Sequence, residues 1–389
     1  MSGNSTKGLT PLKIVYCLAG TFNAGGMERV LANKANQLAQ LGHQLTIVTT
    51  DQAGKKPYFE LDARISQIDL AINYNSVKGL LRKLLSYPLK QRLHQARLNE
   101  LLMRLQADVV ISMFDHEAPL LSKLKDGSKK VLEIHFSRYK RLQYARKGLW
   151  RLIDQYRNWQ DLALARSYDR FVVLTREDQS YWGDLPNIMV IPNANTFSPV
   201  ETATLDSKRV IAVGRYDAQK AFDELILAWV KVYDRHPDWS LKLFGQGPLR
   251  PVLHKLIADN GLEAVVQLCD PVQDIAPEYL RSAMLVMSSR YEGLPMAMLE
   301  AQACGLPLVA YACKCGPRDI IQEGRNGYLI AVGDRDALAE KINILIENPL
   351  LRKEMGASSR ILSSNYTPDA VMQQWLTLFE ELTCQRKQL

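Results

Sequence analysis

The stretch SSRYEGLPMAMLEAQACGLPLVA, Ser288 to Ala310, sets two carboxylates inside an apolar run, Glu292 and Glu300, with seven residues between them. A buried carboxylate without a partner is costly, so each needs a hydrogen-bonding group from the protein or from a ligand. Glu292 falls in the loop after the apolar strand MLVMSS. Glu300 falls on the helix whose first turn Pro295 suits. That spacing lets both turn to one cleft, where one carboxylate can accept two ribose hydroxyls and the other the hydroxyls of a sugar. Between them, the N–H groups of Gly293 and Leu294 are free at the helix start and suit a phosphate. The internal alternative makes Glu292 a helix cap and pairs Glu300 with an arginine.

Two further loops carry candidate chemistry. In VGRYDAQKAFDEL, Arg215 and Lys220 stand between a strand and a helix. Two cations at a strand's carboxyl end suit a diphosphate. Taken as an isolated loop, they are two solvated surface charges. In TFNAGGMERV, Gly25 and Gly26 also stand between strand and helix. Glycine there lets a phosphate or sugar approach the backbone near the helix's positive end, or simply makes a tight turn. The pair is not a GxGxxG fingerprint, and no GKS or GKT supports a P-loop. His135, in LEIHFSR, follows a strand, where a lone histidine by its chemistry alone reads as structural.

The elements that must hold these residues repeat. LKIVYCLAG, a helix-like GGMERVLANKANQLAQLGH and QLTIVTT form a strand–helix–strand unit, and ADVVISM, KKVLEIHF, RFVVLT and IMVIPNAN continue the strand series. The pattern restarts at KRVIAVG, followed by the helix FDELILAWVKVYDRH and the strands WSLKLFG, VVQLCD, AMLVMSS and LPLVAYA. A chain of 389 residues is long enough for two domains of roughly 150–200 residues each. The expected division is residues 1–195 and 196–367, with the polar stretch 195–207 at the junction. The final helix, about 368–389, is free to join either half. In doubly wound sheets ligands sit beyond the strands' carboxyl ends, so two such domains point to the cleft between them.

Composition narrows the class. A net charge of +8 favours an anionic partner: phosphate, nucleic acid or an anionic membrane. No apolar run approaches the ~20 residues of a spanning helix, and the polar start MSGNSTKGLTPLK has no secretory signal. The six cysteines lie scattered in mostly apolar contexts and read as reduced thiols, not as a disulfide framework or zinc site.

Taken in order, the motifs resemble the retaining glycosyltransferases of family 4. E-GLPMAML-E resembles that family's paired-glutamate signature, VGRYDAQK its phosphate-binding Arg and Lys, and GGMERV its N-terminal glycine loop. IPNAN resembles its Ile-Pro-Asn turn, and GPRDIIQEGRNGYLI the segment after its donor helix. The resemblance runs from about Lys13 to Asp334. It implies a GT-B fold, two facing Rossmann-like domains, with the donor nucleotide on the second. Carried over, Glu300 holds the ribose, Glu292 the donor sugar, and Arg215 and Lys220 the diphosphate, with Gly26 approaching from the first half. His135 matches a family histidine near the transferred sugar. Asp115 and His116, in MFDHEAP, end a strand where they can serve the acceptor. Two departures stand out: IPNAN lacks the usual Gly-Val-Asp, and Ala221 stands where glycine often follows the Lys. The family retains anomeric configuration, and the resemblance favours same-face attack. It implies no cofactor and no metal, with UDP the commonest donor nucleotide and GDP the alternative.

Two basic segments suggest the acceptor side. Val77–Gln106 carries Lys78, Arg82, Lys83, Lys90, Arg92 and Arg97 among leucines. Ser137–Gln160 carries Arg138, Lys140, Arg141, Arg146, Lys147 and Arg151 beside Tyr144, Trp150 and Trp159. Such faces suit an interfacial helix on anionic lipid; alternatively they are solvated helices packed on the first half. The expectation is a lipid-linked glycan acceptor at the inner face of the cytoplasmic membrane, in bacterial polysaccharide or glycan assembly, with no nucleic-acid partner. A nucleotide-sugar 2-epimerase of the same architecture would need no such helices. A nucleic-acid-binding protein would leave Glu292 and Glu300 without a use.

Overall fold

The computed structural model describes residues 10–23, 25–76, 79–139 and 148–384. Lys78, Lys140, Arg141, Tyr144, Arg146 and Lys147, and the side chains of Lys83 and Trp150, lie outside what is described.

Two parallel sheets form from strands that are mostly short apolar runs. The first holds β1 (Lys13–Leu18), β2 (Gln44–Thr49), β3 (Ser66–Asp69), β4 (Val109–Ser112), β5 (Lys129–Glu133), β6 (Arg170–Val173) and β7 (Ile188–Val190), in the order 3-2-1-4-5-6-7. The second holds β8 (Arg209–Val213), β9 (Ser240–Phe244), β10 (Val266–Cys269), β11 (Met284–Met287), β12 (Leu308–Tyr311) and β13 (Gly327–Ile330), in the order 10-9-8-11-12-13. Interior strands such as VVIS, MLVM and LVAY are buried along their whole length, as strands covered on both faces must be. In register, Val15 lies between Thr46 and Val110, and Ile211 between Lys242 and Leu285. Strand order reverses at β1/β4 and again at β8/β11, so each sheet opens a crevice at those carboxyl ends.

The helices that bear on the site are α1 (Gly26–Gln40), α2 (Leu80–Leu105), α3 (Leu149–Arg166), α4 (Arg176–Tyr181), α5 (Phe222–Arg235), α6 (Met296–Ala303), α7 (Pro317–Ile320) and α8 (Pro368–Cys384). The chain crosses from the first sheet to the second between Val190 and Arg209, and α8 then returns to the first. Val371, Met372, Trp375, Leu378, Phe379 and Leu382 pack with Ile14, Tyr16 and Leu31. Each such burial stabilises by about 1.5–3 kcal/mol, which fixes the terminal helix to the first half.

Candidate active site

The loop after β11 is stitched to the loop after β8. Ser288 Oγ donates to the carbonyls of Lys220 and Ala221 (2.9 and 3.0 Å), and the Arg290 N–H donates to Gln219 O (2.8 Å). Ala221 has left-handed backbone (φ +49°), which explains the preference for glycine at that position. Arg215 and Lys220 therefore share one turn with different surroundings. Arg215 is 73% exposed and paired with Asp217 at 2.9 Å. Lys220 is mostly covered, its Nζ 2.6 Å from Glu292 Oε1.

Glu292 is 8% exposed, and its N–H donates to Lys314 O (3.2 Å). Its partner is the lysine assigned to the diphosphate, so these two candidates satisfy each other; Glu292 is not a helix cap. At Gly293 a side chain is excluded: a Cβ would lie 2.6 Å from the carbonyl oxygen of His135. Glycine is what lets the loop of one half touch the strand end of the other. Among the described residues, neither the Gly293 nor the Leu294 N–H donates to a backbone carbonyl. Pro295 is the cap and not a first-turn residue: its backbone is extended (ψ 102°), and α6 begins at Met296.

Glu300 is 6% exposed, yet its partner is not an arginine. Oε1 accepts from Thr196 Oγ1 (2.7 Å) and Oε2 from Tyr279 OH (3.0 Å). Burial pushes its pKa up, while the two hydroxyls and the nearby Arg29 pull the other way. A carboxylate has about four acceptor sites, so two hydroxyl bonds leave room for two more.

In the first half, Gly25 caps α1 with extended backbone, and Gly26 opens the helix with free space where a side chain would go. A side chain at Gly25 would collide with Glu28, whose carboxylate would lie 2.1 Å from the new Cβ. Neither glycine has positive φ, so a strained turn is not what requires them.

His135 stands just past β5 with Nε2 3.1 Å from Glu133 Oε1, while neither ring nitrogen has an aligned hydrogen-bond partner. Glu133 is itself clamped by Lys34 of α1 through both oxygens (2.7 and 2.6 Å). Burial alone would raise the Glu133 pKa; the charges of Lys34 and His135 outweigh it and hold the group below the ordinary carboxylate range. Asp115 and His116 end β4. His116 stacks on Tyr74 at 4.0 Å and meets Tyr87 edge-on, and Asp115 Oδ1 accepts from the His116 N–H (2.8 Å). Beneath them Glu117 is buried and accepts from Ser112 Oγ (2.7 Å) and the Asp115 N–H (3.1 Å). Burial and the charge of Asp115 raise its pKa to about 7.

Sequence reasoning passes over Lys34, Glu133, Glu117, Tyr74, Thr196 and Tyr279. Only the LEIH and FDHEAP runs flag the acids, and nothing local flags the others. Arg138 is a correction to the lipid-facing row. Its guanidinium lies over Trp182 (5.1 Å) and donates to Tyr181 O, so it is used inside the fold. Lys90 and Arg97 likewise turn to backbone carbonyls, those of Asn73 and Leu70. α2 and α3 expose Arg82, Arg92, Arg97 and Arg151 beside apolar stripes, Leu85, Leu89 and Leu93 on one, Leu152, Tyr156 and Trp159 on the other. Other faces of the same helices pack on the first half through Leu98, Leu101 and Leu102 of α2 and Ala165 of α3. Among the described residues, no helix is long and apolar enough to cross a membrane.

Two glycosyltransferase families match the chain in tandem. The family described as Glycosyltransferase Family 4 matches residues 24–194, and that described as Glycosyl transferases group 1 matches residues 194–361. An uncharacterized glycosyltransferase of Haemophilus influenzae is 30% identical over 93% of this chain and 98% of its own length. A Campylobacter jejuni α-1,4-N-acetyl-D-galactosaminyltransferase, named for a diNAcBac-PP-undecaprenol glycan, is 23% identical over 95% of this chain and 99% of its own. Among solved structures, a mutant of S. aureus TarM in complex with fondaparinux, α-GlcNAc-glycerol and UDP superposes with a TM-score of 0.74 at 18% identity. It covers 95% of this chain and 99% of TarM, a likeness of fold.

Proposed function

The chain belongs to the GT-B glycosyltransferases of family 4 and group 1, and we propose that it is a retaining, metal-independent hexosyltransferase. It moves a hexose or N-acetylhexosamine from a UDP-sugar to a membrane-associated, lipid-linked glycan in bacterial polysaccharide or glycan assembly. The observation that carries this reading is Glu300, a buried carboxylate already accepting two hydroxyls at the domain junction, with acceptor sites left for a ribose diol. The second half binds the donor and the first half the acceptor.

In this reading the diphosphate lies between Arg215, Lys220 and the open backbone at Gly26. Lys220 rests on Glu292. A bound donor draws the ammonium toward phosphate and frees Glu292 for the sugar hydroxyls. The bond from the anomeric carbon to the phosphate oxygen breaks, the acceptor oxygen joins that carbon on the same face, and its proton passes to the departing phosphate. Lys220 is placed to stabilise the charge as it forms, where fixed electrostatics act most strongly. His135 stands beside the transferred sugar, and Asp115 and His116 face the acceptor.

The lipid-linked acceptor is supported by the exposed stripes on α2 and α3 and by the Campylobacter relative's undecaprenol-linked glycan. The protein then works as a peripheral protein at the cytoplasmic face of the membrane. The test is a panel of mass-tagged nucleotide sugars incubated with membrane lipid extract and EDTA. One UDP-sugar should be hydrolysed slowly alone and transferred to lipid when extract is added. Absence of turnover for every donor, with or without metal, would overturn the reading.

A further inference from the structure

The two halves grip each other at a second place, away from the linker. On one side is α4 of the first half; on the other are residues 313–319 of the second. Asp319 accepts from the N–H groups of Arg176 (2.6 Å) and Glu177 (3.3 Å), so an acid of one half caps a helix of the other. Glu177 returns the grip. Its Oε2 accepts from the Cys315 N–H (2.9 Å), and its Oε1 meets Arg318 Nη1 (3.0 Å) and Tyr181 OH (2.6 Å).

The backbone that Glu177 reaches is strained. Cys315 has φ +64°, a region that residues with a Cβ occupy rarely and at a cost. On its near side the Lys314 carbonyl accepts from the Glu292 N–H (3.2 Å). On its far side Gly316 has φ +100°, and a Cβ there would lie 2.3 Å from Pro295 Cδ. The turn 314–316 is therefore the floor under Glu292–Pro295. Its strained residue is tied across the domain boundary by two carboxylates, Glu177 at its N–H and Asp178 at its Sγ (3.4 Å); only Glu177 holds its backbone.

We propose that Glu177 is a positioning residue for donor turnover: it holds Cys315 in its left-handed conformation and thereby sets Glu292 against the donor sugar when the halves are closed. This rests on the assignment of Glu292 to the donor sugar. The nucleoside end, held by Glu300 on α6, does not depend on the clasp. The first half thus braces the backbone under Glu292 as well as bringing His135 to the sugar.

The test uses the full chain with E177A, C315G and the double variant. Three quantities are read: turnover of the donor, the Kd for UDP, and amide hydrogen exchange of the peptide spanning 313–320. E177A should slow turnover ten- to thirtyfold, leave the UDP Kd within twofold, and raise exchange in that peptide at least tenfold. C315G removes the conformational penalty the clasp offsets, and with it the Sγ contact to Asp178, so C315G alone is the reference and the double variant should regain at least a third of its turnover. A merely structural role predicts no such rescue. Wild-type turnover in E177A, a double variant as slow as E177A, or a parallel loss of UDP affinity would each overturn the proposal. Exchange measures the clasp without any donor. Unchanged protection in E177A refutes the clasp itself, whereas raised protection loss together with full turnover in E292Q refutes the reading of Glu292.

Discussion

The two halves share one strand-order scheme and differ in what they place at the carboxyl ends of their strands. The second half sets two cations and two acids around β8 and β11, and the buried members are satisfied pairwise: Lys220 by Glu292, Glu300 by Thr196 and Tyr279. The first half sets acids and histidines around β4 and β5, several of them incompletely satisfied. Glu117 Oε2 and both His135 ring nitrogens have no aligned partner among the described residues. A site for one invariant chemical group can be pre-paired and rigid. In the proposed reading the open groups lie on the side that meets the sugar and the acceptor; in the second half Ser289 Oγ and Gln302 Oε1 are likewise without a partner among the described residues.

The sharpest break of this contrast is Lys220→Ala. Lys220 is the pre-paired cation, and its loss both removes charge from the leaving phosphate and strands Glu292 in a buried place. Turnover should fall by about 10²–10³, the scale of one transition-state donor, with a smaller change in the Kd for UDP. Steady-state rates against calorimetric affinity separate the two.

The next effect lies in the first half and concerns stability. Glu117 has a folded pKa of about 7 against an ordinary 4.5, so it stays protonated in the native protein where the unfolded chain ionises. Its contribution is fully present below pH 4.5 and is lost as pH rises through 7. The shift corresponds to roughly 3 kcal/mol at most. Unfolding midpoints of wild type and E117Q, compared between pH 5 and 7.5, should diverge, with the wild type losing more as pH rises. Parallel pH profiles would place Glu117 among ordinary carboxylates.

Glu300→Ala sharpens the contrast from the donor side. Hydrogen bonds to a charged group contribute about 1.5–3 kcal/mol, so the Kd for UDP should rise roughly ten- to a hundredfold. Unchanged affinity would leave Thr196 and Tyr279 as its only purpose. The smallest effect is at the surface: Trp159→Ala on α3 should weaken binding to anionic vesicles by roughly threefold in a sedimentation assay. The same variant should leave hydrolysis of the free donor unchanged.

Much of this was legible in the sequence because apolar strands and glycine-bearing turns are local signals. Both sheets' interior strands, the long helix after β8 and the helix carrying Glu300 are read directly from their runs. β3 is not, because SQID is a mostly exposed edge strand without an apolar period. Nor is β13, where GYLI reads as part of a motif and carries no strand period. Within the site, spacing brings Glu292 and Glu300 to one loop and helix. It does not bring Lys220 onto Glu292, a pairing made by two loops 72 positions apart. Lys34 reached Glu133 for the same reason, across 99 positions, and no local pattern announces such a contact. The basic helices show the opposite failure. Their charge is obvious in sequence, but composition cannot say that Lys90 and Arg138 bond backbone carbonyls of the first half while Leu85, Leu89 and Trp159 face out beside Arg92, Arg97 and Arg151.

The most direct measurement is a crystal structure of the protein soaked with UDP or its UDP-sugar. Ribose hydroxyls should lie on Glu300 and the diphosphate on Arg215 and Lys220 beside Gly26, with Lys220 released from Glu292. A nucleotide lodged outside the cleft, with the Lys220–Glu292 and Glu300–Tyr279 contacts undisturbed, would contradict this reading.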